Sequence, residues 1–180
     1  MHVCQSDEEF KAVLTRLKWM TCPHCKRAGY LIRHGYLRGF DDRHPRKKTV
    51  RAQRVYCSNR SRADGCGRTF NIWWADKVGR LFLTAQSLWA FLKKAVDTGN
   101  KRQAFRDLDC DLSDSAPYRI WRRFLKARSA IRTALIGLAK PPPCASDQPG
   151  AQTLAHLQAA MPDHLSPIAA FQAKLHAFFL

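Results

Sequence analysis

Two pairs of cysteines constrain this chain more than any other feature. Cys22 and Cys25 flank two residues in "CPHC", and Cys57 and Cys66 flank eight in "CSNRSRADGC". A chain that returns to itself across the 31 residues between the pairs can enclose one ion with four thiolates. Zn2+ suits such a site because it accepts tetrahedral sulfur without redox chemistry and can hold a small module folded. The first pair alone would also serve a thiol-disulfide oxidoreductase, but no βαβ pattern surrounds it. The expected ligands are Cys22, Cys25, Cys57 and Cys66. His24, His34 and His44 are the substitutes if the long second knuckle withholds a sulfur. Gly29 and Gly67 lie where a knuckle turn calls for positive φ. Cys4, Cys110 and Cys144 are left over and are expected to pack as small apolar side chains.

The residues between the pairs carry strand signals. "GYLIRHGYL", "TVRAQRVYC" and, beyond the last cysteine, "RTFNIWW" are rich in β-branched and aromatic residues. Between the first two, "RGFDDRHPRKK" reads as a polar loop. The expectation is a small α+β protein: a helical lead-in over 1–21, a zinc ribbon of short antiparallel strands over 22–75, and an all-α remainder. Trp73 and Trp74 stand at the junction, where they are expected to join the two parts.

Charge narrows the partner. The chain carries a formal +17, and residues 22–140 hold 27 of its 31 basic residues against 9 acidic ones. A field of that kind attracts polyanions, of which nucleic acid is the commonest. No apolar run approaches the ~20 residues that span a bilayer. The opening "MHVCQSDEEF" lacks the order of a signal peptide, so a cytoplasmic, nucleoid-associated location without membrane contact is expected.

From Thr84 the hydrophobic period becomes helical. Leu88, Phe91, Leu92, Ala95 and Val96 make one face, with Thr84 as N-cap and Gly99 past the end. Asn100 and Gln103 have capping-box spacing for a second helix that turns Ala104, Phe105 and Leu108 inward. After the turn "DCDL", Ser113 or Ser115 caps a third helix, rich in arginine. In it Ala116, Ile120 and Phe124 form the packed stripe, broadened by Trp121 and Leu125, and Pro117 sits in the first turn. This is the layout of a helix-turn-helix, placed over 80–140. Its expected DNA contacts are Ser115, Tyr118, Arg119, Arg122, Arg123 and Lys126, joined by Lys101 and Arg102 from the helix before. Arg46, Lys47, Lys48, Arg51 and Arg68 are expected to add phosphate contacts.

A Pro-rich linker over 141–152 precedes two short amphipathic helices over 153–180. The apolar stripe of Ile168, Phe171, Leu175, Phe178 and Phe179 must be covered. It folds back on the helical module, pairs with a second copy, or docks on a partner such as a recombinase.

At "CPHC…RHG…RVYC…CGRTF", followed by "GNKRQAF…LSDSAPYRIWRRF", the chain resembles the DNA-binding region of insertion-element transposases and their small regulatory proteins. That resemblance spans residues 22 to about 126 and implies four zinc-ligating cysteines, with the helix from Ser115 to Lys126 as DNA reader. A catalytic transposase domain would need three acidic metal ligands on a further fold. The only glutamates here are Glu8 and Glu9, and ~50 residues follow the helix-turn-helix. The expected function is therefore non-catalytic: a sequence-specific double-stranded DNA-binding protein of a mobile element or its host, regulating transcription or serving a separate recombinase. The alternatives are an RNA-binding ribonucleoprotein accessory and an adaptor that docks through the C-terminal helices.

Overall fold

A computed structural model describes residues 1–60, 62–108, 110 and 113–180. Four strands form one mixed sheet: β1 (His2–Cys4), β2 (Leu31–Asp41), β3 (His44–Cys57) and β4 (Thr69–Trp74). Their order across the sheet is β1-β4-β3-β2, with β1 parallel to β4 and the other neighbours antiparallel. Six helices complete the chain: α1 (Asp7–Thr15), α2 (Ala85–Thr98), α3 (Lys101–Arg106), α4 (Ala116–Ile136), α5 (Pro149–Ala160) and α6 (Pro167–Leu175). The α+β class agrees with the sequence, but residues 1–21 begin with a strand that the sequence reading missed.

The β2–β3 hairpin is longer than expected. "RGFDDRHPRKK" continues both strands, and the chain reverses at Asp42-Arg43, where Asp41 pairs with His44. Asp41 makes this turn by accepting from the His44 amide at 2.9 Å. Pro45 is tolerated because β4 reaches only as far as residues 52–56 of β3, and the ladder with β2 shifts register nearby.

Strand alternation places two cores on opposite faces of the sheet. Cys4, Val55 and Ile72 face Phe10 and Leu17, while Val3, Ala52 and Trp73 face Ala173 of α6. The two tryptophans divide accordingly. Trp74 stacks on Phe10 at 3.7 Å and donates to Asp7, and Trp73 meets Phe178 edge-on at 4.9 Å. Both hold elements together, as expected, but they tie the sheet to the two ends of the chain.

A larger core joins α2–α6. The caps expected for α2 are present: Thr84 accepts from the Ser87 amide, and Gly99 is left-handed at φ 69°. Asn100 caps α3, but Gln103 donates to Asp107 instead of returning to Asn100, so only half of the capping box forms. The turn expected at 109–112 lies outside the described residues apart from Cys110. On α4, Ala116, Ile120 and Phe124 are buried and Trp121 is half-buried, but Leu125 is 40% exposed and does not broaden the stripe.

The C-terminal helices do not form a separate module. Ile168, Phe171 and Phe179 are buried in the helical core, and Leu175 packs against it. Phe178 packs on Trp73 and crowds Gly79, where a Cβ would lie 2.8 Å from its ring. Buried Gln172 donates to the Ala75 and Lys77 carbonyls and accepts from the Phe179 amide. Of the three covers expected for the stripe, fold-back on the helical module, a second copy or a partner such as a recombinase, the chain itself supplies the first.

Candidate metal centre and basic surface

The two knuckles are one hydrogen-bonded turn built twice. In the first, the Lys26 amide donates to the Cys22 carbonyl and the Cys22 amide to the Arg27 carbonyl, at 2.9 and 2.8 Å. In the second, Gly67 donates to Cys57 and Cys57 to Arg68, at 2.9 Å each. Lys26 and Gly67 occupy the same left-handed position, at φ 60° and 70°. Gly29 is also left-handed, at φ 90°, but it lies beyond the first knuckle, where its amide meets the Lys18 carbonyl.

The eight-residue gap resolves into an insertion. Gly65 donates to the Ser58 carbonyl at 2.9 Å, bringing Ser58 and Gly65 together as the two residues between the cysteines. The described residues between them, Asn59, Arg60 and 62–64, leave as a side loop. Tyr56 donates to Asn59, and Arg27 donates to the Asp64 carbonyl at 2.6 Å, bracing that loop on the knuckles. Cys57 therefore keeps its place, and no histidine is required.

The four sulfurs lie within 4.8 Å of one another. The Cys22–Cys66 and Cys25–Cys57 Sγ separations are 3.8 and 3.7 Å. A disulfide would need about 2.0 Å. Thiolates around a tetrahedral ion with bonds of about 2.3 Å stand roughly 3.8 Å apart, so the cluster fits a metal ion and not a pair of bridges. Amides already point at sulfur: His24 to Cys22 at 3.4 Å and Cys66 to Cys57 at 3.3 Å. A backbone hydrogen bond from Arg27 lowers the Cys25 thiol to about 7, whereas burial pushes Cys57 up to about 12. Without a cation, this cluster does not carry four negative charges.

Of the leftover cysteines, Cys4 is fully buried, as expected, and its thiol is pushed up to about 12 by burial and by nearby Glu9. Cys110 and Cys144 are half-buried.

The basic residues separate into exposed and engaged sets. Tyr118, Arg119, Arg122 and Lys126 are exposed along one side of α4, with Tyr118 at 55% exposure. Arg119 reaches back to the Ser113 hydroxyl at 3.2 Å. Ser115 is the exposed N-cap of α4, without a side-chain capping bond. Arg46, Lys47, Lys48 and Arg68 are also exposed.

Four expected contacts are occupied elsewhere. Arg51 donates to the Phe40, Val78 and Leu81 carbonyls, tying the hairpin to the loop before α2. Arg123 is half-buried and turns to the Gly79 and Arg80 carbonyls. Arg102 pairs with Asp114 at 2.6 Å, and Lys101 lies over the Trp121 ring.

The sequence reading also missed why the hairpin surface is so basic. Its two acids face inward. Asp41 is fully buried, with Lys77 Nζ at 2.6 Å and the Thr49 hydroxyl at 3.2 Å. Burial raises its carboxyl, but Lys77 and His44 outweigh that and hold it at about 2. Asp42 accepts from the Thr84 amide and hydroxyl, capping the chain just before α2. The exposed arginines and lysines of the hairpin therefore have no carboxylate from the hairpin beside them.

Arg80, itself left-handed at φ 58°, connects these surfaces. It lines a groove of about 590 Å3 with Arg38, Phe70, Asn71 and Trp73 of the sheet. It also lines a cleft of about 310 Å3 with Arg119 and Arg123 of α4.

Comparison of the chain with protein-family models, with curated proteins and with solved structures finds no match.

Proposed function

We propose that this chain is a non-catalytic double-stranded DNA-binding protein, in which a Zn2+-held ribbon and a helix-turn-helix present one basic surface. The observation that carries this reading is the exposed side of α4. That helix contains six basic residues and no acidic one, and Arg119, Arg122 and Lys126 project from its N-terminal half. Residues early in a recognition helix reach base edges in the major groove, and arginine pairs well with guanine there. The order α2, α3, α4, with α3 packed against both neighbours, supports α4 as the reading helix.

Arg46, Lys47, Lys48 and Arg68 would add sequence-independent phosphate contacts. The metal would be structural: four thiolates complete the coordination of the ion and leave it no open position for chemistry. The resemblance to insertion-element proteins suggests a regulator, or a recognition subunit for a separate recombinase. Selection from random duplexes should yield a preferred site. Arg122→Ala should then lose preference for that site more than affinity for random duplex. Equal loss on both would sink the assignment.

A second reading, RNA or single-stranded DNA, is favoured by Tyr36 and Phe40. They stand 53% and 40% exposed on β2 among Arg33, Arg38 and Lys48, as stacking platforms do. Filter binding with duplex DNA, single-stranded DNA and RNA at two salt concentrations separates the two readings. Tighter binding of either single strand at both salts would favour the second.

A further inference from the structure

We propose a second metal-binding site, formed by His2, Cys4 and Glu9, that takes a divalent transition ion of the Zn2+ class apart from the four-cysteine centre. The donor atoms of these three residues lie within 4.8 Å of one another. Their convergence follows from local structure. His2 and Cys4 alternate with Val3 along β1, so the two-residue period sets them on one face. Glu9 stands in the first turn of α1, where its amide meets the Ser6 hydroxyl at 3.2 Å and its Oε2 accepts from the Gln5 amide at 2.6 Å. That pair of bonds turns the carboxylate back toward the strand.

A second observation points to a ligand. His2 Nε2 is buried and has no hydrogen-bond partner among the described residues. An unsatisfied buried nitrogen is unfavourable, and an ion beside it would remove the deficit. The ring is also held in place. His176 stacks on it at 4.4 Å, and His176 Nδ1 accepts from the Val3 amide at 3.2 Å.

One thiolate, one imidazole and one carboxylate form a borderline donor set, suited to Zn2+ and not to Mg2+ or Ca2+. Three protein ligands leave a fourth position open, in contrast to the closed four-thiolate cluster. Beside Glu9 lies a cleft of about 530 Å3, lined also by Asp163, His164 and His176, with Lys174 among its walls. That cleft brings solvent to the Glu9 side of the site.

The test uses full-length protein without a histidine tag, equilibrated with Zn2+ and measured for metal content. Two ions per chain are expected in the wild type, and one in both Glu9→Gln and His2→Gln. Glu9 is exposed, and glutamine keeps an acceptor for Gln5, so this exchange leaves the fold in place. After Co2+ substitution, the four-thiolate absorption should be unchanged in Glu9→Gln. Cys57→Ser should remove the other ion, so failure at either centre is read separately. A wild type that holds no ion beyond that of the four-cysteine centre, or variants that keep both, overturns the proposal.

Discussion

Removing six residues from the second knuckle should harm the metal centre less than adding one methyl group to it. Deleting 59–64 joins Ser58 to Gly65, which already touch through the 2.9 Å hydrogen bond. The connection between the cysteines shortens from eight residues to two. Loop-closure entropy then favours the site by about 1 kcal/mol. The Arg27–Asp64 and Tyr56–Asn59 bonds are lost, and the Gly65–Ser58 hydrogen bond gives way to a peptide bond that holds the same two residues together, so the net cost is about 1 kcal/mol and affinity should stay within about tenfold of wild type.

Gly65→Ala is different. Its Cβ would lie 2.0 Å from the Ser58 carbonyl oxygen, 2.6 Å from the Ser58 carbonyl carbon and 2.9 Å from the Cys57 carbonyl carbon. All three are backbone atoms of the ligand turn and cannot rotate away. Relief needs a shift of more than an ångström, which breaks the Gly65–Ser58 bond and pulls the Cys66 amide from Cys57 Sγ. Those two losses amount to about 3 kcal/mol, or roughly a hundredfold in affinity. Competition with a chromophoric chelator, in a Glu9→Gln background so that only the cysteine centre is read, measures both. A deletion protein that loses the ion, or a Gly65→Ala protein within threefold of wild type, would refute the reasoning.

Lys77→Met leaves Asp41 buried without its cation and should destabilise the metal-saturated protein by about 3–5 kcal/mol in urea denaturation. Adding Asp41→Asn should recover much of that loss, and no recovery would contradict the pairing. The Asp41 carboxyl is depressed from 3.8 to about 2, so its ionisation contributes about 2 kcal/mol above pH 5. The advantage of wild type over Asp41→Asn should be flat from pH 7 to 5 and shrink below about pH 4. Arg46, Lys47 and Lys48 replaced together by Gln should lower the salt slope of DNA binding by about 2–3, while Arg51→Gln should act on stability instead.

Much of the metal cluster was legible because ligand chemistry is local: two cysteine pairs and one recurrent turn sufficed to place four sulfurs together. The long second knuckle keeps its sulfur, but the hydrogen bond that closes it was not visible in a linear spacing. The helical periods of α2 and α4 were readable from buried positions such as Phe91 and Phe124. Leu125 was misplaced because an apolar residue one step from a stripe looks the same in sequence whether it packs or projects. Three-residue β1 was too short to carry a period, and its pairing with β4 joins residues about 70 apart. The roles of Arg51, Arg123 and Asp41 depend on tertiary neighbours, so composition counted them as surface charge. "FDDR" inside a basic run was the one available signal, since acids kept there need a partner.

The sheet also sets an order of events during synthesis. Both knuckles are complete once Arg68 has emerged, so the ion can close that part of the chain early. The opposite face of β1 and β4 waits for Ala173 and Phe178, and the Val3 amide waits for His176, 173 positions later. Contacts of such separation form slowly and leave apolar surface uncovered meanwhile. With an ion held by the four cysteines, the nascent chain would be a pinned hairpin with an open flank until residues 171–180 arrive, and the passage between those two states is where a chaperone would find it.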